Sequence, residues 1–387
     1  MKRLGIFFFY EKNGDVDDFI TYYLRDLARN LTELIVVCNG KLSKQGRAAF
    51  EEFTDQIIVR ENKGLDVWAY KTALDHYGWQ RLSEFDEVVM TNSTLMGPVR
   101  PLKEMFDAMA ERTNLDFWGL TIHHGAEGNP FKGKHLYNYL PVHIQSHFIV
   151  YRKKFIQSKE LQNYWDTMPM IESYTDSVQR YESVFTKQFA DKGYQWDVYV
   201  NTDDLKEFTD YPLLVCPTRL LRDKKCPLFK RRSFMHDFEA YLNDTAGEPV
   251  RELYAYLRDH TDYPLELIWK NMIRTMHPHE FTRNLGLTRI IQPTVQNKAQ
   301  AEEIRANRRI ALAMHLYFMD MLDQSMAFAA KFPPETDVFE AVRTANADGA
   351  PLACVLCDES QFFTAQQAEQ LFMVTVDLNI PVICYGL

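Results

Sequence analysis

Short apolar runs alternate with helix-length amphipathic stretches over residues 3–91, and this alternation constrains the fold more than any other feature of the chain. RLGIFFFY at 3–10, ELIVVC at 33–38, QIIVR at 56–60 and EVVMT at 87–91 read as strands. Between them, 17–30, about 43–53 and about 67–77 carry apolar residues at helical spacing. Strand followed by helix followed by strand is the α/β pattern. Such crossovers are right-handed and give a mostly parallel sheet flanked by helices. Ligands of these sheets bind outside the carboxyl ends of the strands. The informative segments are therefore the loops leaving them: FFYEKNGD, CNG, ENKGLD and TNSTLMGP.

FWGLT from 117 and HFIVYRKKF from 147 read as two further strands, separated by the polar stretch HHGAEGNPFKGKH. Helices are expected at about Ser158–Trp165 and Ser177–Lys192, with Gly193 as the stop before the strand QWDVYV. Residues 212–290 are mainly helical in pattern, and a polar joint begins after Pro293. RRIALAMHLYFMDM then restarts the strand pattern, so a second α/β unit is expected within about 80 remaining residues, fewer than a typical domain of ~100. The expected organisation is 1–210 as the main α/β domain, 211–292 as a helical extension and 308–387 as a short, shortened α/β unit.

Composition narrows the function. With 44 Lys and Arg against 53 Asp and Glu, the net charge is −9, which repels polyanions and disfavours nucleic acid as a partner. No apolar window approaches the ~20 residues that cross a bilayer, so the chain is expected to be soluble or peripheral. The first residues read as a strand rather than a leader. Six cysteines are too few for a disulfide scaffold, and Cys38 and Cys384 sit in strand-like runs, as a reducing cytoplasm favours. Cys354 and Cys357 have C-x-x-C spacing, but no second pair follows, and a buried strand is the preferred reading.

The strand-end loops supply the candidate ligand residues. Tyr10 and Asn39 close the first two strands. In ENKGLDVWAYK, Asn62 and Gly64 precede a helix whose start Asp66 occupies, and Tyr70 lies one turn on; there is neither a G-x-G-x-x-G nor a P-loop pattern. Asn92, Ser93 and Thr94 offer hydrogen-bonding groups but no carboxylate for a hard cation. Glu182 lies beside the apolar stripe Tyr181, Phe185 and Phe189, where a half-buried carboxylate could act as a general base, or could instead pair with Lys187 on the surface. Lys230, Arg231 and Arg232, flanked by Phe229 and Phe234, could grip a pyrophosphate or an anionic headgroup, or form a solvated turn. Lys71 and Arg100 are further candidate cations. The histidines at 123, 124, 135, 143 and 147 lack metal-ligand spacing, and surface or loop roles are expected.

Taken in order, ENKGLDVWAYK, TNSTLMGP, HIQSHFIVYRKKF, YESVFTKQFADKGY, CPLFKRRSF, YPLELIWKNMIRT and HPHEFTRNLGL resemble the rhamnan synthesis protein F family of bacterial glycosyltransferases, over about residues 3–330. The resemblance implies a GT-A-like domain that transfers a sugar, rhamnose above all, from a nucleoside-diphosphate donor such as dTDP-rhamnose to a lipid-linked glycan or growing cell-surface polysaccharide. It places the work at the cytoplasmic face of the membrane. It implies Asn62, Gly64, Asp66, Tyr70 and Asn92 as donor-side residues, with Ser93 beside them, and Glu182 as the base. The family commonly shows an Asn-Asp-Ser type sequence where this chain has Asn92, Ser93 and Thr94, so Mg2+ or Mn2+ is a candidate cofactor without an assigned ligand. A non-catalytic scaffold and a nucleotide-sugar hydrolase are the alternatives, because fold alone does not fix activity.

Overall fold

The computed structural model describes residues 1–128, 136–235 and 248–277, together with four strand segments at 309–312, 337–338, 352–357 and 382–384. Contacts divide the chain into two units, Met1–Ser233 with Asp237–Ile268, and Phe234–His236 with Trp269–Leu387.

The first unit is built on a seven-stranded sheet. Its parallel half follows the expected alternation: β1 (Arg3–Glu11), α1 (Asp18–Ala28), β2 (Glu33–Gly40), α2 (Lys44–Glu51), β3 (Ile57–Arg60), α3 (Leu65–Leu82) and β4 (Glu87–Asn92). These strands lie in the order β3-β2-β1-β4, all parallel. After the short strand β5 (Leu95–Met96) and α4 (Leu102–Ala110) come β6 (Phe117–Gly119), the two-residue strands β7 (Ile122–His123) and β8 (His143–Ile144), and β9 (Phe148–Arg152). β9 runs antiparallel between β4 and β6, and β10 (Trp196–Val198) closes the far edge parallel to β6.

Burial on both faces explains the near-continuous apolar strands. On β1, Phe7 and Phe9 point to one face, where their rings meet Tyr23 and Phe50, while Phe8 on the other meets Tyr70 of α3. At the amino-terminal edge, Glu87 is almost fully buried and is held by Arg3 Nε at 2.6 Å and Trp118 Nε1 at 3.1 Å, with Arg152 Nε at 3.3 Å. This pin joins β1, β4, β9 and β6.

The helix expected over 177–192 is broken into Tyr174–Ser177, a π-helical turn Val178–Glu182 and Ser183–Ala190. Tyr181, Phe185 and Phe189 are all buried. Ser183 Oγ donates to the Val178 carbonyl at 2.6 Å, five residues back, the same oxygen that accepts the Ser183 amide closing the wider turn. A ladder between β5 and β11 (Phe229–Lys230) and the helices Lys159–Asp166, Pro212–Val215, Pro217–Asp223 and Glu248–His260 also belong to this unit.

In the second unit, Arg309–Leu312, Asp337–Val338, Leu352–Cys357 and Val382–Cys384 form a four-stranded parallel sheet. Cys354 and Cys357 therefore lie on a strand, as expected. The expected polar joint after Pro293 and most of HPHEFTRNLGL lie outside the described residues. No described helix is long and apolar enough to cross a membrane.

Candidate active site

The carboxyl ends of β1 to β4 form one edge, and the register fixes which loop residues meet there: Tyr10 lies beside Asn39, Asn39 beside Arg60, and Phe8 beside Asn92. Tyr10 is half exposed at 47% and flanks Gly40 together with the exposed Asn62. Asn39 is fully buried and holds its neighbours: its amide donates to the Leu65 carbonyl at 3.0 Å, and its oxygen accepts from Arg60 at 2.7 Å. Arg60 also donates to the Lys63 carbonyl at 2.8 Å. Asn39 thus positions the 61–65 loop, with its own polar atoms already engaged.

Gly64 is the N-cap of α3, with φ +74°, and a Cβ there would lie 2.4 Å from Trp68. Only glycine fits both constraints. Asp66 falls in the first helical turn and accepts from the Val67 amide at 3.0 Å. Loss of solvent chiefly, and the nearby Glu182 carboxylate next, push the Asp66 carboxyl up to about 6, while Lys230 pulls it back. One turn on, the Tyr70 hydroxyl is buried without a well-formed hydrogen bond and lies against Asn92. The nearby cation Lys71 is already paired with Asp75 at 3.1 Å, and Arg100 donates to the Leu221 carbonyl at 3.0 Å.

At the end of β4, Asn92 accepts from the Thr94 amide at 3.1 Å and from Thr94 Oγ1 at 2.6 Å. The antiparallel β5–β11 ladder brings Lys230 to Leu95, and its ammonium donates to Thr94 Oγ1 at 3.2 Å. Lys230 is a buried ammonium rather than part of a solvated turn. Burial above all lowers its pKa to about 8, against the attraction of Glu182 and Asp66, and Arg232 adds to the lowering. Arg231 donates its backbone amide to the Thr94 carbonyl at 3.0 Å.

Because β9 is reversed, the segment that precedes it reaches the same edge. Glu182 ends the π turn and is half-buried. Its Oε2 accepts from the Ser146 amide at 3.0 Å and from Ser146 Oγ, and its Oε1 lies 4.0 Å from His143 Nε2. Lys187 pairs with Asp191 instead, so the surface alternative for Glu182 does not hold.

The histidines depart from the surface roles expected of them. The β7–β8 ladder places His123 opposite His143, their rings parallel at 5.1 Å and 9°. His124, His143 and His147 are buried, and His123 is half-buried. Burial first, then His143, pushes His123 down to about 4. His147 is pushed well below the ordinary histidine range by burial and by Lys230. His135 lies outside the described residues.

The structure thus gathers Asp66, Tyr70, Asn92, Thr94, Glu182 and Lys230 around one position. It leaves Tyr10 and Asn62 on the open rim. Sequence reading gave His143 and His147 surface or loop roles and did not name Ser146 or Tyr211, the last a half-buried tyrosine whose ionisation burial and Glu182 oppose. The available signal was the run of polar residues HIQSH immediately before an apolar strand. Among the described residues no group of three or more His, Cys, Asp or Glu side chains could hold a metal ion. An ammonium stands beside the carboxylate-free loop, and these residues do not fit a divalent cation.

The sequence profile described as rhamnan synthesis protein F matches residues 34–358, beginning later and running further than the resemblance read from the motifs. Curated relatives include thymidine kinases of Rhizobium etli, 43% identical over 61 residues, and of Aliivibrio fischeri, 48% identical over 61 residues. Each match covers 16% of this chain, and the chain spans only about 30% of the length of these relatives. Among solved structures, a cytidylyltransferase from Leptospira borgpetersenii is 12% identical, with 64% of this chain and 96% of that one covered, at a TM-score of 0.31. Glucosyl-3-phosphoglycerate synthase from Mycobacterium tuberculosis, in complex with Mn2+, UDP and phosphoglyceric acid, is also 12% identical, with 51% and 68% covered, at a TM-score of 0.31.

Proposed function

Since the chain belongs to the rhamnan synthesis protein F family, we propose that it is a glycosyltransferase that moves a sugar from a nucleoside-diphosphate donor to a hydroxyl of a growing polysaccharide. The observation that carries this reading is a carboxylate and a buried ammonium facing one position at the strand ends, Glu182 held by Ser146 and Lys230 held by Thr94. The family favours rhamnose as the sugar, dTDP-rhamnose as donor, a lipid-linked glycan as acceptor and the cytoplasmic membrane face as the place of work.

In this mechanism the acceptor hydroxyl gives its proton to Glu182 as its oxygen bonds to the anomeric carbon. The bond from that carbon to the diphosphate oxygen breaks, and its electron pair leaves with the nucleoside diphosphate. Lys230, kept from water and pre-positioned, meets the charge that develops on the leaving oxygen. Arg232 adds positive potential beside it. Tyr10 and Asn62 lie where the nucleoside end of the donor would emerge, and Asp66, Tyr70 and Asn92 line the floor beneath the sugar. No step is routed through a metal ion.

A nucleotide-sugar hydrolase would use the same base on water. Incubating the protein with dTDP-rhamnose and other nucleotide sugars, with and without a glycan acceptor, separates the two. Acceptor-dependent release of the nucleoside diphosphate supports transfer, acceptor-independent release means hydrolysis, and no release with any donor leaves a binding protein. The 61-residue likeness to thymidine kinases supports no kinase assignment.

A further inference from the structure

A cavity outside the strand-end site lies on the first unit, between α1, the loop 98–101 and the segment 262–263. Its volume of about 360 Å³ is that of a small-ligand pocket, and none of Asp66, Tyr70, Asn92, Thr94, Glu182 and Lys230 lines it. The back wall is held by packing and hydrogen bonds. Tyr263 is buried, and its ring meets Tyr22 edge to face at 5.5 Å and Phe229 at 5.3 Å. Asp26 Oδ1 accepts from the Leu102 amide at 2.9 Å, which ties α1 to the start of α4. Arg100, held by the Leu221 carbonyl, keeps a buried Nε without a hydrogen-bond partner.

Toward solvent the lining offers hydrogen-bonding groups of both kinds. The exposed Arg29 guanidinium and Asp262 carboxylate form no hydrogen bond or ion pair among the described residues, and neither does the hydroxyl of the half-buried Tyr22. Arg25 comes only within 3.8 Å of Glu52. Three guanidiniums, from Arg25, Arg29 and Arg100, thus share the cavity with the carboxylates of Asp26 and Asp262. A phosphate or carboxylate ligand would gain from the arginines and be repelled by both aspartates. The local field opposes a further negative charge: burial first, then Asp26, Asp262 and Glu266, raise the pKa of the Tyr22 hydroxyl. A polyol suits the mixture better, since each hydroxyl both donates and accepts. Tyr22 and the prolines at 98 and 101 add an apolar flank on which the C–H face of a sugar ring can rest.

We propose that this cavity is a saccharide-binding site that holds a sugar unit of the growing glycan beside the site of transfer. The binding stands on the cavity alone, whereas its place in polysaccharide synthesis rests on the reading of the chain as a glycosyltransferase. The two sites share a wall. The two residues of β11 turn opposite ways, Phe229 to Tyr263 of the cavity and Lys230 to Thr94 of the strand-end site. A glycan anchored on one side of this ladder has its free end confined near the other, which raises the effective concentration of the acceptor hydroxyl. Long acceptors therefore benefit from the cavity and monosaccharides do not.

The direct test is saturation-transfer-difference NMR on the full chain, without donor, at millimolar concentrations of a rhamnose oligosaccharide, a glucose oligosaccharide and inorganic phosphate. Arg29→Ala and Asp262→Ala trim exposed side chains and spare the fold. At least one oligosaccharide should bind, its affinity should fall fivefold or more in each of these variants, and Lys230→Met should leave it within twofold. Absence of binding by both oligosaccharides overturns the proposal. So does binding that Lys230→Met abolishes and the cavity variants leave unchanged, and so does binding of phosphate alone. In turnover assays with a long acceptor, Asp262→Ala should raise the acceptor KM fivefold or more and leave kcat and the donor KM within twofold, with no effect on a monosaccharide acceptor. An unchanged KM for the long acceptor removes the cavity from the reaction. If the cavity binds an oligosaccharide but no donor is turned over with any acceptor, the transferase reading fails and the saccharide site stands.

Discussion

Asp66 and Lys230 are charged groups that the fold keeps largely out of water, and each costs stability in a definite pH window. The Asp66 carboxyl is raised to about 6. Its contribution to stability is full below the unfolded value near 4 and is lost as pH rises through 6. Asp66→Asn should therefore gain thermal stability over the wild type at pH 8 and lose that gain by pH 4, as melting curves would show; a gap independent of pH would mean the carboxyl is not strained. Lys230 has the opposite sign. Its pKa is lowered to about 8, so the stability it withholds is present above the unfolded value near 10.5 and lost as pH falls through 8. Lys230→Met should melt higher than the wild type at pH 7 yet bind nucleoside diphosphates at least tenfold more weakly, measured by calorimetry. Stabilisation with unchanged binding would remove Lys230 from the site. Glu182→Gln, in turn, should cut turnover by ~10² to 10⁴ with donor affinity nearly constant.

Among the elements, the pleat and the turns do separate jobs. The amino-terminal edge of the sheet is pinned by Glu87, whose carboxylate meets Arg3, Trp118 and Arg152 in a site almost closed to water. Removing one partner of such a cluster strands the others, so Glu87→Ala should cost ~3–5 kcal/mol in denaturant unfolding. A loss below ~1 kcal/mol would show that the pin contributes little. The opposite edge is shaped by constrained turns. Gly64 caps α3 with a positive φ, and a methyl there would meet Trp68. Gly64→Ala should accordingly displace the start of α3 and weaken donor binding, while the glutamate pin and the sheet persist. The π turn at Val178–Glu182 does comparable work: Tyr181 and Phe185 stay buried, and Glu182 is presented to Ser146 at the turn's end.

Across the molecule, the site joins loops from one half of the sheet to β11 and to the π turn, so a bound donor would link segments far apart in the chain. A donor nucleotide at 100 times its Kd should then stabilise the protein by about 2.7 kcal/mol, seen as a thermal shift. Because the described residues offer no cation cage, EDTA should leave that shift intact; a shift lost to EDTA and restored by Mn2+ would place a metal at the site. The α/β class and the order of strands and helices in its parallel half were legible in local patterning, since strand and helix periods are local properties that burial on two faces imprints on successive residues, whereas α3 runs over Leu65–Leu82, longer than the expected 67–77. Local patterning also put Tyr10, Asn39, Asn62, Asp66 and Asn92 at the carboxyl-terminal edge of the sheet, because each follows or ends a parallel strand. No local pattern brings Glu182 to Ser146 and His143, or Lys230 to Thr94. Those meetings depend on β9 running antiparallel and on β11 pairing with β5 across more than a hundred residues of chain, and periodicity within a segment carries no information about register between distant strands.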